Sequence, residues 1–318
     1  MSYYIGIDLG GMSAKCALLR DGKLCGVSRC KTEKELSPAE IAHRLVALAV
    51  ETVQKSGVSM EEVSAVGIGS PGIIDSEKGM VVSWTNYGWE NVPLSKLVES
   101  QLNKPVFLTN DANAAALGEY EYGAGKKYNS IVMITIGTGI GSGIVFDGKI
   151  FEGNQGAGGE LGHEVIKFNG EKCSCGRRGC FERYASASAL IRQTQKAMNA
   201  HPESGLWNLC DRDIENVNGK TVFDGMRLGD KTAKKVINRY YQYLAAGITN
   251  AVNAFRPEAI ILGGGISAEG EVIAKPLRKI VNKEKMGSSL SALIQIVVAT
   301  LGNDAGIYGA AEYARRKS

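Results

Sequence analysis

The chain has 318 residues, 44% of them hydrophobic, and a formal net charge of +4; this is enough apolar material for a substantial core, and more naturally for two domains than one. Its basic clusters are short, such as Lys126-Lys127, Lys234-Lys235 and Arg315-Arg316-Lys317, which argues against a nucleic-acid partner. No apolar run approaches the ~20 residues that cross a bilayer, and residues 3–9 contain Asp8 and run straight into a glycine turn, so neither a membrane span nor a signal peptide is expected.

Taken in order, residues 3–9 read as a strand broken by Gly10-Gly11, 14–19 as a second, Asp21-Gly22-Lys23 as a hairpin turn and 24–30 as a third strand. Residues 38–56 carry apolar side chains at helical spacing (Ile41, Leu45, Leu48, Val53) and stop before Gly57. A strand at 63–69 enters Gly69-Ser70-Pro71-Gly72, a helix covers 93–102, and a strand at 106–109 enters Asn110-Asp111-Ala112-Asn113. The plan then recurs. Residues 131–136 form a strand, Gly137-Thr138-Gly139 breaks it, 143–146 returns and Asp147-Gly148-Lys149 turns. The DGK turn appears in both halves and IDLGG aligns with ITIGT, so two related α/β domains are expected from an internal duplication. Helices at 187–199, 231–255, 271–281 and 305–315 alternate with strands at 259–262 and 294–299, after a polar stretch of little pattern at 201–220. The last helix is expected to pack back on the first domain. The boundaries predicted are 1–112 plus about 302–318 for that domain, and 113–301 for the second.

His163, Cys173, Cys175 and Cys180 lie within one segment, spaced H-x9-C-x-C-x4-C, with Gly176 and Gly179 at the turns. Such a set suits zinc in a closed, structural, tetrahedral site; the plainer alternative is three unrelated cysteines in a loop. Glu160 and Glu182 flank the cluster, so a metal there would also fix two carboxylates and aim them at a polar ligand. The other four cysteines, Cys16, Cys25, Cys30 and Cys210, form no regular framework, which points to reduced thiols in the cytoplasm.

Three glycine turns close strands, at 8–15, 137–143 and 263–267. Each can present backbone N–H groups to phosphate, although no Walker A loop is present, and together they favour ATP. Asp111 follows the strand at 106–109. It reads as an ordinary helix cap or as a base that takes a proton from an attacking hydroxyl. Phosphoryl transfer asks for little beyond phosphate cradles, a metal ion and such a base.

The segments DLGG, GSPG, LTNDANAAALGE, IGTGIGSGIV, GELGH and CSCGRRGCFERYAS resemble the ROK family of sugar kinases and repressors over nearly the whole chain, and within it the chain is most similar to the bacterial glucokinases. The resemblance implies duplicated RNase H-like domains in the actin/hexokinase-type ATPase fold, with an interdomain cleft, and an ATP-dependent transfer to the 6-hydroxyl of glucose with Mg²⁺. It implies Asp111 as the catalytic base, Asn110, Glu160, His163 and Glu182 as sugar ligands, and Gly69 and Asn86 beside them. ATP would meet Asp8, Gly10, Gly11, Lys15, Gly137, Thr138, Gly139 and Gly264. A homodimer through the second domain is also implied. Met12 departs from the family pattern, which has threonine there, so the first loop loses a hydroxyl.

Other readings are a ROK repressor, a non-catalytic sugar-binding module and a zinc hydrolase. A repressor would need a helix-turn-helix domain ahead of a strand that begins at Tyr3. A hydrolase would need an open zinc position, which four protein ligands do not leave. Among kinases, glucose, mannose, fructose, allose and N-acetylhexosamines stay open as substrates, with the loops at 69–72 and 84–89 expected to choose.

Overall fold

The structure is a computed structural model that describes residues 2–318. Its first elements are β1 (Tyr3–Leu9), β2 (Ser13–Arg20), β3 (Lys23–Lys31), α1 (Pro38–Lys55), β4 (Val63–Ser70), β5 (Ile73–Asp75), β6 (Met80–Trp84), β7 (Trp89–Val92), α2 (Leu94–Leu102), β8 (Val106–Asn110) and α3 (Asp111–Tyr122). There follow β9 (Ser130–Ile136), β10 (Ile140–Phe146), β11 (Lys149–Ile150), α4 (Glu182–Ala185), α5 (Ala187–Ala200), α6 (Thr221–Arg227), α7 (Lys231–Phe255), β12 (Ala259–Gly263), α8 (Glu271–Glu284), β13 (Gln295–Val298) and α9 (Ala305–Lys317).

Two five-stranded sheets run β3-β2-β1-β4-β8 and β11-β10-β9-β12-β13. The orders match strand for strand, as the duplication requires. In the first, β1 is antiparallel to β2 and parallel to β4, and β4 is parallel to β8. The hairpin turns match too: Asp21 and Gly22 have φ of 50° and 73°, and Asp147 and Gly148 have 47° and 76°. Two successive residues with positive φ make the turn whose twist suits a β-hairpin, and Asp-Gly tolerates it best.

Helix α1 starts where its sequence says it should. Ser37 accepts the Glu40 amide and Glu40 accepts the Ser37 amide in return, with Pro38 at the first turn, so two of the unpaired N–H groups of the helix end are satisfied. Ile41, Leu45, Leu48 and Val53 are buried in the core built on β1 and β4. Helix α9 covers β1 and β4 and packs on α3. It comes so close that a Cβ at Gly6 or Gly67 would overlap the carbonyls of Ile307 and Ala310.

Strands β5, β6 and β7 form a small third sheet that the sequence pattern did not reveal. Strands of three to five residues are too short to show a period of two. What closes this sheet is aromatic packing: Trp84 stacks on Tyr87 at 4.0 Å between centroids and meets Trp89 edge-on at 5.2 Å.

The chain divides into two compact units. One comprises the chain up to Met133 with Gly143–Gly159 and Thr300–Ser318; the other comprises Ile134–Ser142 and Glu160–Ala299. Among the described residues no helix is long and apolar enough to cross a membrane.

Candidate active site

In the first unit the chemistry gathers at the carboxyl ends of neighbouring strands. Asp8 pairs in register with Gly69, and Gly69 with Thr109. Asn110, not Asp111, caps α3: its Oδ1 accepts the amides of Ala112 at 2.9 Å and Asn113 at 3.3 Å, and its Nδ2 donates to the Gly72 carbonyl at 3.1 Å. The side chain predicted to touch a sugar therefore ties the helix start to the GSPG turn. Asp111 follows inside the first turn, with Oδ1 accepting the Ala112 amide at 2.8 Å. Burial pushes its carboxyl upward, against the backbone amides that pull it down. Gly69 lets the helix approach, since a Cβ there would sit 3.5 Å from the Asp111 Cα and 3.0 Å from the Ala114 Cβ. Asn86 is exposed, on the short turn between β6 and β7.

The first glycine turn is braced through its carbonyls. Thr32 Oγ1 donates to the Gly10 carbonyl at 2.9 Å, Tyr87 Oη to Gly11 at 3.3 Å, and the Thr32 amide to Met12 at 3.1 Å. The Met12 side chain is 83% exposed, so its loss of a hydroxyl leaves the loop's own bracing intact. Lys15, which burial and Arg29 hold below the usual lysine range, forms an ion pair with Asp304 at the start of α9. Asp8 is lifted to about 6 by burial and by Asp111, with Lys15 opposing. Thr32, Tyr87 and Asp304 were not foreseen; Asp304 lies 289 residues from its partner, and nothing local marks it.

In the second unit His163, Cys173, Cys175 and Cys180 converge, their ligand atoms all within 4.8 Å of one another. The Cys173 Sγ lies 3.7 Å from His163 Nδ1, and the sulfurs of Cys175 and Cys180 are 3.6 Å apart. A tetrahedral zinc with bonds of about 2.3 Å to sulfur and 2.0 Å to nitrogen would set the sulfur–nitrogen pair at about 3.5 Å and the sulfur–sulfur pair at about 3.8 Å, so the residues fit the ion. Burial and the neighbouring thiols push Cys180 up to about 12, while the Arg177 backbone holds Cys175 down. Ionising thiols this close together would take a cation between them. The backbone knot is closed by the Cys173 amide on the Arg177 carbonyl at 2.8 Å and by the Gly179 amide on Glu171 at 2.9 Å.

Glu160 precedes the short turn Leu161–His163 and is exposed. Glu182 opens α4, and its Oε2 accepts the Ile140 amide at 3.0 Å, just past the second glycine turn. The third turn adjoins the second, because a Cβ at Gly264 (φ 79°) would lie 2.5 to 2.7 Å from the backbone of Ile136. Thr138 is exposed at the tip of its turn, flanked by Gly137 and Gly139.

Two sheets of identical strand order, each with a glycine turn after its first strand, define the duplicated ATPase fold of the actin and hexokinase type. The comparisons agree with that class. A ROK family glucokinase from Streptomyces griseus, solved with glucose and AMPPNP, superposes with a TM-score of 0.83 at 34% identity, covering 99% of this chain and 100% of that one. The glucokinase of Thermotoga maritima is 38% identical over 315 residues, 98% of this chain and 97% of that protein. A xylose repressor of Caldicellulosiruptor bescii is 32% identical over 82% of this chain but only 65% of its own length. The ROK family profile matches residues 4–317. The chain belongs to the ROK family.

Proposed function

We propose that this chain is an ATP-dependent kinase that phosphorylates the 6-hydroxyl of glucose. The observation that carries the reading is Asp111: Asn110 already caps the helix, and burial raises the Asp111 carboxyl, which makes it a better proton acceptor at neutral pH. In this reading the sugar hydroxyl gives its proton to Asp111 as its oxygen bonds to the γ-phosphorus. The bond from that phosphorus to the β,γ-bridging oxygen breaks, and ADP carries the electron pair away.

Asn110, Glu160, His163 and Glu182, with Gly69 and Asn86, are proposed to hold the sugar, since paired acceptors and donors suit a polyol. Gly10, Gly11, Lys15, Gly137, Thr138, Gly139 and Gly264 are proposed for ATP. Mg²⁺, which takes oxygen ligands, would be held with the help of the Asp8 carboxylate and would neutralise phosphate charge. His163, Cys173, Cys175 and Cys180 would hold a structural zinc. A homodimer in the cytoplasm completes the reading; all seven cysteines are free thiols, which suits a reducing compartment.

The test is ADP release across a hexose panel, with and without Mg²⁺, and identification of the product by NMR. Glucose is expected to give the highest kcat/KM, because a site built to pair a given hydroxyl rejects sugars that leave it unpaired. Fructose or an N-acetylhexosamine winning clearly would refute the substrate. A second reading, a sugar sensor without catalysis, is favoured only by the similarity to the xylose repressor. Sugar binding with no ADP release would select it.

A further inference from the structure

Glu182 does something besides flanking the Cys/His cluster. Its Oε2 accepts the Ile140 amide at 3.0 Å, and Gly139 lies so near that a Cβ would overlap the same oxygen. The other end of the turn is held as well: the Ala187 amide donates to the Gly137 carbonyl at 2.9 Å, and the Gly137 amide closes on Gly139 at 3.0 Å. Glu182 and Ala187 are the first residues of α4 and α5. Both anchors therefore come from the short stretch after the ligand Cys180. On the side of His163, Gly162 abuts the Ile140 carbonyl so closely that it too admits no Cβ. The flanks of the cluster thus grip the turn from three sides, and Thr138 stands exposed at its tip.

We infer that Glu182 is a positioning residue for the nucleotide turn 137–139, independent of any contact with sugar; the inference rests on reading that turn as a phosphate cradle. A turn with two glycines in three residues has many conformations to lose. A charge-assisted hydrogen bond to the amide that follows it removes much of that freedom before the ligand arrives. A side chain at 139 would push the Glu182 carboxylate off this bond, since its Cβ would overlap Oε2.

Nucleotide affinity without sugar tests this, because a side chain that served the sugar alone would leave it unchanged. Mg²⁺-AMPPNP is titrated calorimetrically into the zinc-loaded wild type and the Glu182→Ala, Glu182→Gln and Glu182→Asp variants, with zinc content and thermal melts measured in parallel. Glu182→Ala is expected to weaken binding by about tenfold or more, the effect of losing one charge-assisted hydrogen bond. Glu182→Gln keeps an acceptor in place and is expected within about threefold of wild type on the same scale. Amide hydrogen exchange at Ile140 should quicken in the alanine variant. Should that variant not fold, the aspartate, which keeps the charge but falls one methylene short of Ile140, must bind more weakly than the glutamine; the reverse order overturns the inference. A folded Glu182→Ala protein that binds AMPPNP as wild type does overturns it while leaving the kinase reading intact. A wild type that does not bind AMPPNP sinks that reading and this inference together.

Discussion

Asp111 holds the Asp8 carboxyl in its neutral form to an unusually high pH: burial first, and the neighbouring Asp111 charge second, lift Asp8 from 3.8 to about 6, with Lys15 pulling the other way. Asp8 sits near the end of β1, and Asp111 opens α3 directly after β8, which β4 separates from β1 in the same sheet. A base works only when ionised, and Asp111 is itself raised by burial. Activity is therefore expected to fall on acidification at a pH above the ordinary carboxylate range, as read from the kcat/KM profile. A carboxyl raised on folding contributes stability that is present below its unfolded value of 3.8 and lost as pH rises through about 6. Asp8→Asn should accordingly raise the melting temperature at pH 7.5 and change it little at pH 3.5; equal shifts at both would contradict the account.

Asp111→Asn should lower kcat by ~10²–10⁴-fold, the usual cost of removing a general base, with sugar affinity nearly unchanged. The amide keeps the shape and the bond to the Ala112 amide but cannot take the proton. A variant retaining more than about a tenth of the wild-type rate would remove Asp111 from that role on the same scale.

Zinc removal by chelation, or Cys175→Ser, should raise the sugar KM and destabilise the second unit together. The cluster ties residues 163 and 180 within one knot, with Glu160 and Glu182 just outside it, and a displacement of ~1 Å in a positioning group can cost on the order of 100-fold in rate. Mg²⁺ should not restore function, because it prefers oxygen ligands in octahedral geometry. Metal analysis beside kinetics decides the matter; complete loss of zinc with an unchanged sugar KM would show that cluster and sugar site are independent.

Glu119 is fully buried and gathers the amides of Ala124 at 2.8 Å, Thr300 at 3.1 Å and Leu301 at 2.7 Å. Glu119→Ala leaves these donors without their acceptor and should cost about 3 kcal/mol or more of unfolding free energy. Glu119→Gln, which turns one acceptor into a donor facing an amide, should fall between the two. Denaturant titration measures both, and an alanine variant within about 1 kcal/mol of wild type would disprove the role on that scale.

Long elements were legible because one pattern governs their whole length: β1 and α7 begin and end where the apolar period does, at Tyr3–Leu9 and Lys231–Phe255. The duplication was legible because the Asp-Gly turns need positive φ at both residues, which few other pairs supply. The four candidate metal ligands were legible because they fall within 18 residues of chain. What escaped is set by contacts distant in sequence. Asn86 stands on a turn held by Trp84, Tyr87 and Trp89 packing, and no short-range period announces such a sheet. Lys15 meets Asp304 only once α9 has folded onto β1. The roles of Asn110 and Glu182 were half-visible: side-chain chemistry suggested polar contacts, while the partners seen here, Gly72 and Ile140, are backbone groups that every residue carries.

The placing of α9 sets the order of events during synthesis. Its residues lie against β1, β4 and α3, yet they leave the ribosome after everything between Ile134 and Ala299 has been made. At 5–20 residues per second that interval is roughly 10–30 s. Through it Gly6 of β1 and Gly67 of β4 lack the helix that lies against them, whereas the second unit has its full length of chain before that helix is made. The half of the molecule made first is thus the last to close, and the stretch that closes it is 13 residues long.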